Sequence, residues 1–209
     1  ILDREDSEDL LKACIGAAGI DPKEVAFPKA EVIADLISRV TNERLSLATV
    51  LERRRTGLEE LKESIEKVVG LYAERKKAAN VMDFDDLLSL WLKLMEENEA
   101  VRERYQRRFQ FVLVDEYQDT NQIQSDLIDR VAAQHRHVMV VCDDSQSIYS
   151  WRGANFRNIL DFPRRYPESK VYKIEVNYRS TPEILAVANA AIAANTEQFA
   201  KELTAARKS

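Results

Sequence analysis

Two pairs of adjacent acids follow apolar runs in this sequence: Asp115 and Glu116 after "FVLV", and Asp143 and Asp144 after "VMVVC". Side chains alternate along a strand, so two acids in succession point different ways and can take different jobs. One carboxylate can hold Mg²⁺, usually through water, while the next polarises an attacking water. Capping and solvating a strand end calls for the same residues, and a lone apolar-Asp-Glu match leaves both readings open. Past the second pair come Gln146 and "IYSWRG". A glutamine beside a phosphate can report its presence by hydrogen bonding, Tyr149 and Trp151 can stack on bases, and Arg152 can meet a phosphate or a carboxylate. The plainer alternative makes the two rings core aromatics and Arg152 a surface cation. In "NYRST", Arg179 follows Tyr178 ahead of a helix. An arginine there can stabilise charge on a phosphoryl group from a neighbouring domain, or can close a surface salt bridge.

Acids and amides at strand ends need strands to carry them. Short apolar runs such as "FVLV" (Phe111 to Val114) and "VMVVC" (Val138 to Cys142) predict strands buried on both faces, as in parallel sheets covered by helices. Ile123, Leu127, Ile128 and Val131 mark a helix between them, and strand, helix, strand at this spacing predicts a parallel βαβ unit. "KVYKIEV" predicts a third strand, with a helix starting near Pro182. In open α/β sheets ligands sit outside the carboxyl ends of strands, where the three polar clusters are expected to gather.

Before Phe109 the pattern is helical. Leu10, Leu11, Cys14, Ile15 and Ala18 share one face; so do Val32, Ile33, Leu36, Ile37 and Val40, and then Leu58, Leu61, Ile65, Val68 and Tyr72. Helix starts are expected at Ser7 and near Pro22 and Pro28. Asp83 is expected to cap a helix that buries Phe84, Leu87, Leu88, Trp91 and Leu94.

Composition narrows the class. The 209 residues are 45% hydrophobic and 32% charged, with five Gly and five Pro, which suits a helix-rich soluble protein and excludes disorder. A net charge of -5 neither advertises nor rules out a local basic groove. Cys14 and Cys142 are too few for a disulfide framework or a zinc site and favour a reducing compartment. No apolar run approaches the roughly 18 residues of a membrane span, and no signal-peptide pattern opens the chain, so a cytoplasmic location is expected. The first residue is Ile1, which fits a processed product or an excised piece.

"VLVDEYQDTNQIQ", "CDDSQSIYSWRGA" and "NYRST", in this order, resemble motifs II, III and IV of the superfamily 1 DNA helicases of the UvrD, Rep and PcrA type, and "MDFDDLL" resembles the segment before their Walker B strand. The resemblance implies an α/β chain: a partial RecA-like parallel sheet of the P-loop NTPase type, preceded by an all-helical subdomain. It divides the chain into 1–80, a helical accessory subdomain; 81–168, the C-terminal half of a RecA-like motor domain; and 169–209, the start of a second motor domain. By position, Asp115 matches the Mg²⁺-binding acid, Glu116 the residue that activates water, and Gln146 the glutamine that senses the γ-phosphate of ATP and couples it to DNA. Tyr149 and Trp151 match aromatics on single-stranded bases, with Arg152 beside them, Tyr178 an aromatic packed on adenine, and Arg179 the arginine finger. The implied activity is ATP-dependent unwinding, 3′ to 5′, in DNA repair or replication, with single-stranded and duplex DNA and the rest of a helicase chain as partners and no membrane.

The departures set limits. The family usually reads Gly-Asp-Asp/Pro-Asp-Gln here, and Cys142 and Ser145 stand at the first and fourth of those positions, while Gln146 is retained. No Gly-Lys-Ser/Thr occurs in the 209 residues, so neither the phosphate-cradling backbone nest nor its lysine is present. The expectation is a helicase segment that does not hydrolyse ATP alone. A non-catalytic DNA-binding or interaction module of the same descent is the alternative, and a metal-dependent nuclease using Asp115, Glu116, Asp143 and Asp144 is a third class. His135 and His137 lack further ligand spacing. Arg53 to Arg55 and Arg75 to Lys77 are expected on solvated helix faces, where contact with duplex phosphates is also open.

Overall fold

A computed structural model describes residues 1–21, 26–54, 57–150, 153–196 and 198–207. The chain divides into two compact units, Ile1–Val112 with Asn121–His137, and Leu113–Thr120 with Val138–Ser209. Among the described residues it is a mixed, helix-rich chain with two small two-stranded sheets.

The first unit holds α1 (Arg4–Ala17), α2 (Ala30–Glu43), α3 (Leu47–Arg54), α4 (Lys62–Ala79), α5 (Phe84–Glu97), α6 (Glu99–Arg108) and α7 (Gln122–Ala132). The stripes on α1, α2 and α4 meet as expected: Leu11, Cys14, Ile15, Ile33, Leu36, Ile65, Val68 and Tyr72 form one core with Val50 and Leu51 of α3. Val32, counted with the α2 stripe in the sequence, is exposed. Helix α1 starts earlier than Ser7. Asp3 accepts from the Asp6 N–H at 2.9 Å in a reciprocal capping box, and Ser7 lies buried inside the helix. Helix α2 begins at Ala30 with Lys29 as N-cap, so Pro28 precedes the helix instead of opening it; Pro22 lies outside the described residues.

Asp83 caps α5 as expected, again with a reciprocal box to Asp86. The face that α5 buries is a different one. Leu92, with Leu88 partly buried beside it, packs on Ile123 and Leu127 of α7, and Met95 is fully buried, whereas Phe84 is 64% exposed and Leu87, Trp91 and Leu94 are exposed as well. Apolar residues encircle α5, so its periodicity could not choose a face; α7 chooses it.

The second unit carries Leu113 and Val114 of β1 (Val112–Val114), with β2 (Val138–Val140), β3 (Val176–Asn177), α10 (Pro182–Ile192), β4 (Thr204–Ala205) and the short helices α8 (Arg157–Leu160) and α9 (Phe162–Arg165). Strands β1 and β2 pair, with α7 between them in sequence; the Val141 N–H donates to the Val114 carbonyl and the Tyr117 N–H to the Val141 carbonyl. The strands are not buried on both faces: Leu113 is 72% exposed, and Met139 and Val141 are exposed too. They show the alternation of a sheet with one face covered. The strand expected over Lys170 to Val176 shrinks to Val176–Asn177, and Val171, Tyr172 and Ile174 are exposed. It pairs in parallel with β4, Val176 opposite Thr204 and Asn177 opposite Ala205, in a sheet separate from β1 and β2. The expectation of three strand ends along one sheet edge is therefore corrected to one pair plus a separate pair. None of the described helices is long and apolar enough to cross a membrane.

Candidate nucleotide site at the tips of β1 and β2

The chain leaves β1 through a sharp turn. Asp115 Oδ1 accepts the Glu116 N–H at 2.9 Å, and Glu116 takes the left-handed conformation, φ 51° and ψ 42°. That region costs a residue with a Cβ about 1 kcal/mol. A 3₁₀ turn, Tyr117–Asp119, follows, closed by the Asp119 N–H on the Glu116 carbonyl at 2.9 Å. The turn leaves Asp115 and Glu116 exposed while the next two side chains go inward.

Tyr117 and Gln118 anchor the turn. Tyr117 is fully buried, its ring edge-on to Phe162 at 5.8 Å and its hydroxyl accepting from Arg165 Nη2 at 2.5 Å. Phe162 stacks in turn on Tyr166 at 4.6 Å. Gln118, 1% exposed, donates from Nε2 to Glu116 Oε2 at 2.5 Å and accepts the Asp143 N–H on Oε1 at 3.0 Å. Thr120 is held by Asn158, whose Nδ2 reaches its carbonyl at 3.1 Å and its hydroxyl at 3.2 Å.

At the β2 tip, Asp143 caps a 3₁₀ turn, Asp144–Gln146, accepting the Ser145 N–H at 3.0 Å. Gln146 Nε2 donates to Asp143 Oδ2 at 2.7 Å, and Lys201 binds both Asp143 and, at 3.2 Å, Asp144. Burial works against ionisation of Asp143, but the Lys201 and Gln146 hydrogen bonds and the Lys201 charge prevail and hold its carboxyl below the usual carboxylate range. Burial likewise disfavours the Lys201 cation, and its two carboxylate partners overcome that and raise its affinity for the proton. Asp144 also accepts the Phe199 N–H at 2.8 Å.

The structure thus brings Asp115, Glu116, Gln146 and Asp143 into one chain of contacts. Arg179 makes no contact with that chain among the hydrogen bonds described: its N–H and that of Ser180 bond to Asn177 Oδ1 at 2.9 and 2.8 Å, and its carbonyl accepts from Arg207. Tyr178 is exposed, Tyr149 is at the surface with its carbonyl taken by the Ala154 N–H, and Trp151 and Arg152 lie outside the described residues. His137 stacks on Phe111 at 4.9 Å, and no group of three or more metal-ligating side chains occurs among the described residues. Sequence reasoning missed Gln118 and Lys201. The signal for Gln118 was present as a polar residue at a buried turn position two places after the acid; for Lys201, more than fifty residues from its partners, there was none.

The model of the UvrD/REP helicase N-terminal domain matches residues 1–167. This chain belongs to that family. The chain is 41% identical over 172 residues to the ATP-dependent DNA helicase Rep of Escherichia coli, covering 82% of this chain and 26% of that protein. It is 36% identical over 203 residues to the ATP-dependent DNA helicase PcrA of Staphylococcus aureus, and 36% over 210 residues to the ATP-dependent DNA helicase UvrD1 of Mycobacterium tuberculosis. Each of the latter matches covers 97% of this chain and 27% of the relative. The chain spans about a quarter of the length of the curated relatives it matches.

Proposed function

We propose that this chain is the part of an ATP-driven DNA translocase that carries its water-activating acid and its phosphate-sensing glutamine. The observation that carries the reading is the linked pair of strand tips, Asp115–Glu116 on one and Asp143–Gln146 on the other, in a UvrD/REP domain. A RecA-like sheet would supply those tips, with residues 1–80 as a helical accessory subdomain, 81–168 as the C-terminal half of the first motor domain and 169–209 as the start of the second. Cytoplasmic action on single-stranded and duplex DNA, in repair or replication and with 3′ to 5′ polarity, follows from the same reading.

The residues fit part of a nucleotide site. Two exposed carboxylates at one tip offer the hard oxygen donors that Mg²⁺ prefers, and a magnesium site of one or two carboxylates completed by phosphates needs no larger ligand cluster. The cradle for the triphosphate is not supplied by these 209 residues, which contain no Gly-Lys-Ser/Thr. Magnesium ATP supplies the phosphoryl group whose transfer to water drives movement. Asp115 holds the metal, Glu116 orients and deprotonates the water, and Gln146 reports the terminal phosphate to the DNA side. Tyr178 packs on the base of the nucleotide and Arg179 meets the phosphoryl charge from the second motor domain. Tyr149, Trp151 and Arg152 hold single-stranded DNA.

Lys201 neutralises Asp143 and Asp144, which weighs against the four-carboxylate nuclease. In the full-length gene product, Glu116→Gln should keep ATP binding and lower DNA-stimulated turnover by about 100-fold or more. Unchanged turnover would remove Glu116 from this role and leave the non-catalytic module as the better reading.

A further inference from the structure

We propose that Gln118 is a positioning residue: its buried amide locks the Glu116 carboxylate and ties the β1 tip to the β2 tip. The assignment rests on the roles proposed above for Glu116 and Gln146. With 1% of its surface exposed, Gln118 acts through its neighbours and not on a ligand. Its Nε2 donates to Glu116 Oε2 at 2.5 Å; its Oε1 accepts the Asp143 N–H at 3.0 Å; Asp143 Oδ2 then accepts from Gln146 at 2.7 Å. Ser147 Oγ closes on the Gln118 carbonyl at 3.4 Å.

A primary amide serves both ends. It presents a donor and an acceptor on one rigid plane, whereas a carboxylate lacks the donor and an apolar side chain lacks both. The need for fixation is local. Glu116 sits in the left-handed region, a conformation that persists only where surrounding bonds over-determine it, and the Asp115, Asp119 and Gln118 contacts do so. The bridge also joins Glu116 to Gln146 by three hydrogen bonds through Gln118 and Asp143, the middle one made by the Asp143 backbone N–H, so the two proposed roles share one connected path.

Two variants separate positioning from scaffolding. Gln118→Met loses both bonds; Gln118→Glu keeps the acceptor for Asp143 and loses the donor for Glu116. In the 209-residue chain, hydrogen exchange followed by NMR should show the Asp143 amide exchanging at least about tenfold faster in Gln118→Met and near the native rate in Gln118→Glu, with the Ile33 amide unchanged in both. In the full-length gene product, both variants should lower kcat about 100-fold with KM for ATP within about threefold. Native-like exchange at Asp143 in Gln118→Met, or kcat within about twofold of native in Gln118→Glu, overturns the proposal. If Gln118→Met does not fold, Gln118→Glu decides alone. Glu116→Gln is the control: full turnover in that variant defeats the nucleotide reading itself, whereas lost turnover there with native kcat in Gln118→Glu defeats only the bridge.

Discussion

Lys76 shows how far a single side chain can depart from its neighbours. It belongs to a run of three cations, Arg75 to Lys77, whose periodicity suggests a solvated face, yet it is buried and bonds Asp83 and Asp86 at 2.6 Å each, with its Nζ 4.4 Å from the centre of the Tyr72 ring. Tyr72 donates its hydroxyl to Asp83 at 2.9 Å, and burial together with that acid pushes the phenol's own ionisation to higher pH. The same site opposes Asp83 through burial, but Lys76, the Asp86 N–H and Tyr72 outweigh it and lower the carboxyl's affinity for protons. A carboxylate depressed in the folded state stabilises the protein above the unfolded value, about 3.9, and that stability drains away as pH falls through the folded value. Replacing Lys76 with Met leaves two partly buried acids uncompensated. Lys76→Met should cost about 3 kcal/mol in urea unfolding at pH 7, and less in acid as Asp83 takes up its proton. An equal loss at neutral and acid pH would reduce Lys76 to packing.

At the scale of elements, helix ends fix the registers that periodicity leaves loose. Asn121 caps α7 through a reciprocal box with Gln124 and also donates to Asn42 Oδ1 at 2.8 Å, while Asn42 donates to Asp85 at 2.8 Å. One asparagine side chain therefore seats α7 against α2 and, through Asn42, against the start of α5. Asn121→Ala should destabilise the chain by about 1 to 2 kcal/mol, cap and buried hydrogen bond together, read as a shift in the urea midpoint with an unchanged slope. The stripes of α1, α2 and α4, the Asp83 cap and the order strand, helix, strand were legible in the sequence because each is local, spanning two or three turns. The buried face of α5 was not, since eight of its residues are apolar and it is packing against Ile123 and Leu127 that selects Leu88 and Leu92. The strand over Lys170 to Val176 failed for a related reason: alternation predicts a strand wherever a partner exists, and among the described residues β4 pairs with only Val176 and Asn177. The acids and Gln146 of the site could be read from type and spacing, but the contacts joining them run through a buried glutamine and a distant lysine.

For the molecule as a whole, the proposed function makes catalysis a property of assembled parts. The 209 residues contain no Gly-Lys-Ser/Thr phosphate cradle, so under the proposed function the chain alone should show no DNA-stimulated ATP hydrolysis; measurable turnover by the purified chain would refute this division of labour. Within the full-length gene product, the proposed function requires the β1 and β2 tips to act as one coupled unit, with nucleotide state passed from Glu116 through Gln146 toward bound DNA. The most direct measurement is ATP turnover by the Gln146→Ala variant with and without single-stranded DNA. DNA binding should stay near native, with a loss of at least about tenfold in the stimulation by DNA. Stimulation at the native level in that variant would contradict the proposed coupling.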